Sequence, residues 1–168
     1  ISALLAEVWS SARREWSETM RQTQAPDQRT PTFIVVDEAH NLIPTDPQGS
    51  AETALRDQFR TIVAEGRKYG IFLILVTQRP DKVDPSILSE CENKILMRLS
   101  SESVTDSSIE RLGLEAFRAS VKNCPKLKPG RALLVGKWPN APQEFFVGAR
   151  RTMEGGSNLR EEHWAVPR

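Results

Sequence analysis

The 168-residue sequence has only two cysteines, Cys91 and Cys124, with no CxxC spacing and no histidine cluster beside them. That excludes a zinc-ribbon pattern and a disulfide framework, and fits a reducing, cytosolic compartment. A long apolar run is also lacking: the longest, residues 71–76, is six residues, whereas a bilayer span needs ~20. No charge sign dominates, since 23 Lys and Arg face 22 Asp and Glu, and the net of +1 neither demands a nucleic acid partner nor excludes one. Internal repeats and low-complexity tracts are absent. The chain opens on Ile1, and charges break its first apolar stretch too early for a signal peptide, so it reads as a piece of something longer. What is present, 39% apolar and 27% charged residues, is the mix of one compact domain and not of a disordered chain, a collagen-like fibre or a coiled-coil rod.

Along residues 1–20 the apolar positions Ile1, Leu4, Leu5, Val8, Trp9, Ala12, Trp16 and Met20 recur at three and four, which predicts an amphipathic helix with tryptophan on its buried stripe. Residues 23–31 are a polar, proline-bearing connector, and TFIVVD at 32–37 is a short β-branched run that predicts a buried strand ending in acid. A loop follows over 40–49. Then Leu55, Phe59, Ile62, Val63 and Gly66 mark one face of a second helix, with Ser50 as its expected N-cap and Gly70 past its end. IFLILVT at 71–77 is apolar on both faces, as a strand covered on both sides must be. Asp84-Pro85 starts a short helix toward Glu90, residues 94–99 form another strand, and two short helices fall around 104–112 and 114–121. Residues 131–136 and 143–148 make a terminal hairpin with a wide loop. Strand and helix alternate through the middle, which predicts an α/β fold with a mostly parallel sheet flanked by helices, followed by a C-terminal β-hairpin. Residues 1–151 form the domain, and 152–168, with Gly155-Gly156-Ser157, an extended tail.

Three features carry chemistry. Asp37 and Glu38 are adjacent carboxylates at the C-terminal end of a strand, where open α/β sheets bind ligands. Asp37 there can hold Mg²⁺ through its water shell, and Glu38 can orient a water toward a phosphate; in the plainer alternative Asp37 caps the loop and Glu38 is solvated. Gln78 ends the next apolar strand, and parallel strands put such ends side by side, so its amide comes within reach of the same site. Arg67 and Lys68 close the intervening helix, where they complement the negative pole of its dipole. Arg67 lies at the opposite end of the sheet from Asp37, so it acts on a phosphate only in a neighbouring subunit.

DEAHN, EGRKYG and LVTQRP, in that order, resemble the HerA/FtsK superfamily of ring-forming, DNA-translocating ATPases, most closely the HerA-like branch. The run DPSIL with Cys91, Asn93 and residues 94–99, and LKPGRA at 127–132, are similar to that branch too. The resemblance, over residues 30–150, implies a partial RecA-like P-loop NTPase core. It implies that Asp37 and Glu38 are the Walker B pair, Gln78 the γ-phosphate sensor and Arg67 the finger in trans, with ATP and Mg²⁺ as cofactors. Arg98 would be a further basic residue near a subunit boundary. The implied parent is a homo-oligomer, hexameric by resemblance, moving on double-stranded DNA with a nuclease or NAD-consuming effector, in repair or phage defence. Alternatives are a type IV secretion or conjugation ATPase and a non-catalytic assembly module.

The sequence departs from that family in lacking GxxxxGK[ST], the loop whose N–H groups and lysine cradle phosphate. GRALLVGKW at 130–138 is a decoy, with five residues between its glycines and tryptophan where a hydroxyl must bind the metal. Alone, such a chain is expected to hydrolyse nothing. In this fold the missing strand lies beside residues 71–76, whose apolar edge would otherwise be an aggregation hazard. The missing segment, a partner chain or the first helix is expected to cover it. Finally, residues 118–151 hold eight basic side chains, Lys126, Lys128, Arg131, Arg150 and Arg151 among them, against Glu144 alone. They face either DNA or a neighbouring subunit.

Overall fold

The structure is a computed structural model that describes residues 1–21, 30–101, 104–149 and 151–152. The connector expected from residue 23 and the tail expected beyond Thr152 fall mainly outside these described residues.

Helix α1 (Ser2–Arg21) is followed by strand β1 (Thr32–Val36), helix α2 (Ser50–Glu65), a 3₁₀ turn Gly66–Tyr69 and strand β2 (Ile71–Leu75). β1 and β2 pair in parallel, Thr32 opposite Ile71 and Val36 opposite Leu75. The ladder runs on past both strands through Val76 N–H to Val36 O and Ala39 N–H to Val76 O, each 2.9 Å. α2 provides the crossover and buries Phe59 and Ile62 against the sheet face that carries Ile34, Leu73 and Leu75. Its N-cap is Gly49 and not Ser50, which is already the first helical residue. Gly66 is needed at the junction, because a Cβ there would stand 2.9 Å from the Ile71 carbonyl oxygen.

Helix α3 (Pro85–Glu90) leads to strand β3 (Asn93–Leu96), then α4 (Asp106–Arg111), α5 (Arg118–Val121) and the hairpin of β4 (Arg131–Gly136) and β5 (Gln143–Phe146). β3 ends at Leu96, short of the expected residue 99, and pairs antiparallel with β4 instead of extending the β1–β2 sheet. The alternation that predicts a single parallel sheet therefore stops at β2. Leu96, Leu133 and Val135 turn one face of this second sheet into the common core, with Ile87, Ile109, Leu114 and Val121.

Two burial expectations are corrected. β1 and β2 are covered on one face only: Phe33, Val35, Phe72, Ile74 and Val76 are exposed, and the Phe33 and Phe72 rings stack on each other with centroids 5.2 Å apart. On α1 the stripe is narrower than its apolar spacing, since Leu5 and Ala12 are buried but Ile1, Leu4 and Met20 are exposed. α1 packs chiefly on α2 and the 66–69 turn. Trp9 and Trp16 meet Tyr69 edge-on, at 5.0 and 5.6 Å between centroids.

Candidate functional site

Because β1 and β2 run in parallel register, their C-terminal ends deliver Asp37 and Glu38 next to Thr77 and Gln78. Gln78 Nε2 donates to Glu38 Oε1 at 3.1 Å, joining the two ends as their sequence positions imply. Glu38 is the one non-glycine residue with a left-handed backbone among the described residues, φ 47° and ψ 50°. Its own N–H donates to Asp37 Oδ1 at 2.9 Å, and the tight turn drives directly into the 3₁₀ turn Ala39–Asn41. A side chain in that region costs about 1 kcal/mol or more relative to glycine, and such strain concentrates at functional positions. Glu38→Gly is accordingly expected to stabilise the chain by up to about 1 kcal/mol in urea denaturation while removing the site's carboxylate.

The second Glu38 oxygen, Oε2, is shielded from solvent and has no hydrogen-bond partner. His40 Nδ1 lies 3.4 Å away, out of hydrogen-bonding alignment, and is nearer to Thr77 Oγ1 at 3.1 Å. Thr77 Oγ1 in turn accepts the Arg79 N–H at 3.0 Å. His40 thus serves the loop as a hydrogen-bonding residue, and the described residues hold no cluster of three or more metal-ligating side chains. Asp37 is exposed, and among the described residues only its Oδ1 is engaged. An exposed carboxylate beside an unsatisfied, oriented one suits a hydrated Mg²⁺ with its phosphate, so the residues present fit that group.

The loops after β1 and β2 are zipped together. Pro44 bridges Val83, Thr45 N–H donates to Lys82 O at 3.0 Å, and Thr45 Oγ1 donates to Val83 O at 3.3 Å. Arg111, arriving from α4, donates to Thr45 Oγ1 at 3.2 Å and to the Asp81 carbonyl at 2.8 Å. With Gln78, Thr105 and Ser108 it lines a cleft of about 290 Å³. No sequence signal pointed to Arg111 or Thr45, which lie 66 residues apart on a short helix and a loop.

Arg67 is exposed on the 66–69 turn, at the N-terminal end of β2 and so at the far end of the sheet from Glu38. Arg98 lies exposed beyond β3. In the basic stretch, acids from elsewhere intervene, with Arg118 and Lys122 pairing with Asp106 at 2.6 and 2.9 Å and Lys137 with Glu92, while Arg131 pairs with the stretch's own Glu144 at 3.8 Å. Lys126 and Lys128 stay exposed and without an ion pair among the described residues, Arg151 is exposed, and Arg150 lies outside the described residues.

Residues 1–99 match the family described as the ATPase family associated with various cellular activities (AAA). A probable DNA double-strand break repair helicase HerA of Methanocaldococcus jannaschii is 33% identical over 77% of this chain and 25% of its own length. The DNA double-strand break repair helicase HerA of Sulfolobus acidocaldarius is 40% identical over 79% of this chain and 26% of its own. The chain thus spans about a quarter of the length of these curated relatives. Among solved structures, the genome packaging NTPase of Sulfolobus turreted icosahedral virus 2 in complex with ATP-gammaS aligns with a TM-score of 0.51. It shares 16% identity over 67% of this chain and 50% of that one, a likeness of fold.

Proposed function

Because the chain belongs to the ATPase family associated with various cellular activities, as a HerA-like ATPase fragment with a P-loop NTPase fold, we propose that it is the Walker B half of a ring-forming motor. That motor couples Mg-ATP hydrolysis to movement on double-stranded DNA, in repair or phage defence, with a nuclease or other effector. The observation that carries this reading is the Gln78–Glu38 hydrogen bond between the ends of two parallel strands. It places an amide and an unsatisfied carboxylate oxygen in one site, which is the pairing a lytic water and a γ-phosphate require. The magnesium ion would be held near Asp37 and would supply charge neutralisation for the phosphates.

In this reading Glu38 Oε2 takes the proton of the attacking water, and Gln78 fixes the glutamate rotamer and reports on the phosphate. Thr45, the Pro44–Val83 bridge and Arg111 hold the two loops at the spacing this needs. Arg67 faces a neighbouring copy's phosphate, because its own site is a strand length away. Retention of Asp37, Glu38, Gln78 and Arg67 supports an active parent over a non-catalytic scaffold. The exposed face of β1 and β2, and the edge of β2 that pairs with no other strand among the described residues, are where a phosphate-binding strand and its helices would dock.

Steady-state ATPase with and without duplex DNA tests the reading. This chain alone is expected to show no turnover, and the full-length protein turnover that duplex DNA stimulates. Turnover by the isolated chain, or a full-length protein that hydrolyses nothing in the presence of DNA and Mg²⁺, would refute it.

A further inference from the structure

The 3₁₀ turn Gly66–Tyr69 that carries Arg67 is weak as local structure. It is four residues long with no side-chain hydrogen bond at its N-cap, and hydrogen bonds of 3₁₀ type are poorly aligned. What steadies it comes from α1. Trp9 and Trp16 lie two helical turns apart on that helix, ~10 Å along its axis, and the Tyr69 ring meets both edge-on, at 5.0 and 5.6 Å between centroids. Lys68 Nζ stands 4.6 Å from the Trp16 ring centroid and 5.4 Å from that of Tyr69, a cation held by two rings.

The two residues that follow Arg67 are thus both docked on aromatic rings, and Gly66 before it is set against the Ile71 carbonyl, where no Cβ fits. The Arg67 carbonyl accepts the Gly70 N–H at 3.2 Å, and the Gly70 carbonyl accepts the Thr32 N–H of β1 at 2.9 Å. Arg67 is exposed between these anchors, with its backbone held from both sides. Leu5 and Ala12 already fasten α1 to the common core, and Ser2 Oγ donates to Gln58 Oε1 of α2 at 2.9 Å. Trp16 directs its ring at the turn. A guanidinium that must meet a phosphate from outside its own site gains most when its backbone is in place beforehand, since only the side chain is then left to order.

Resting on the reading of Arg67 as a residue that acts on a neighbouring copy's phosphate, we propose that Trp16 is a positioning residue for Arg67, clamping Lys68 and Tyr69 so that the turn between α2 and β2 presents the guanidinium in one place. Trp9 completes the clamp from the other side of Tyr69.

The test uses the full-length protein with ATP, Mg²⁺ and duplex DNA. Trp16→Ala is expected to lower kcat by ~10- to 100-fold with KM for ATP within about threefold of native. Trp16→Phe, which restores a ring, should recover most of that loss. Lys68→Gln, a change at an exposed side chain, should lower kcat by about threefold. Circular dichroism and sedimentation velocity should report native fold and assembly for all three. Mixed assemblies separate a finger defect from a general one: Trp16→Ala subunits should regain turnover when mixed with Glu38→Gln subunits, which supply a well-held Arg67, and should gain none when mixed with Arg67→Ala subunits. Native kcat in Trp16→Ala overturns the proposal, as does the reverse mixing pattern. A Trp16→Ala chain that loses its fold or assembly, together with native kcat in Lys68→Gln, overturns it as well. If Arg67→Ala itself keeps full turnover, the reading of Arg67 fails and the clamp falls with it; if Arg67→Ala is inactive while Trp16→Ala is native, the clamp alone fails.

Discussion

Glu38→Gln in the full-length protein should lower ATP turnover by about 10²- to 10⁴-fold while nucleotide binding stays within a few-fold of native. The amide keeps the shape of the side chain and can still meet Gln78, so the Glu38–Gln78 contact that joins the strand ends survives. What goes is the proton acceptor at Oε2, the oxygen that the fold leaves shielded and unpartnered. Arg67→Ala should be equally silent, by about 10³-fold or more, because a guanidinium opposite developing phosphate charge has no substitute in water. Mixing the two inactive variants discriminates a cis site from a trans one. Some interfaces in a mixed assembly join a native Glu38 to a native Arg67 from the neighbour, and partial turnover should return. Well-mixed assemblies with no recovery would mean that Arg67 does not act across a boundary.

Asp84→Ala should be strongly destabilising, lowering stability by about 3 kcal/mol in urea denaturation followed by circular dichroism. Asp84 is the one buried charged residue among the described residues, at 2% exposure. Its Oδ1 accepts from Ser86 N–H at 3.0 Å and Ile87 N–H at 3.3 Å, capping α3. Its Oδ2 takes Arg60 Nη2 at 2.8 Å, with Arg56 Nε 3.7 Å away, so the same carboxylate fastens α3 to α2. Removing it strands Arg56, 16% exposed, whereas Arg60 at 43% can be rehydrated, which sets the loss at the lower end of what breaking a buried pair costs. Asp84→Asn should cost less, since an amide oxygen can still cap the helix.

The same residue gives a pH dependence of definite sign. Burial works to raise the Asp84 carboxyl, but the Ser86 hydroxyl, the Arg60 charge and the Ile87 and Ser86 N–H groups outweigh it and hold the group below the ordinary aspartate value of 3.8. A carboxyl that binds its proton less readily folded than unfolded contributes stability that is complete well above 3.8 and is lost as pH falls through the lower, folded value. Native protein should therefore lose stability on acidification in this range, and Asp84→Ala should show a flatter profile there.

Much of the site was legible in the order of residues alone. An apolar run closed by Asp37-Glu38 and another closed by Gln78 demand parallel strands with their ends together, because a helix-length segment separates them and a crossover must bring the second strand back in the same direction. Asp84-Pro85 was readable as a helix start for the same local reason, a side-chain acceptor before a residue with no N–H to satisfy. Ser50 misled because a glycine at φ 91° took the cap instead, a choice made by the backbone path out of the loop. The +1 overall charge hid, and the eight basic residues of 118–151 exaggerated, what faces solvent. Asp106 and Glu92, from outside the stretch, pair in space with three of those cations, Asp106 being shared by two.

By itself, then, the sequence determined the helices, the two parallel strands, the hairpin and the positions of Asp37, Glu38 and Gln78 at adjoining strand ends, since periodicity, caps and strand succession are local properties. Only the tertiary structure decided that β3 joins the hairpin, that one face of β1 and β2 stays bare, and that Arg111 clamps the loops through Thr45. Those are outcomes of long-range pairing and packing, in which residues tens of positions apart compete for the same neighbours, and no local pattern records which of them wins.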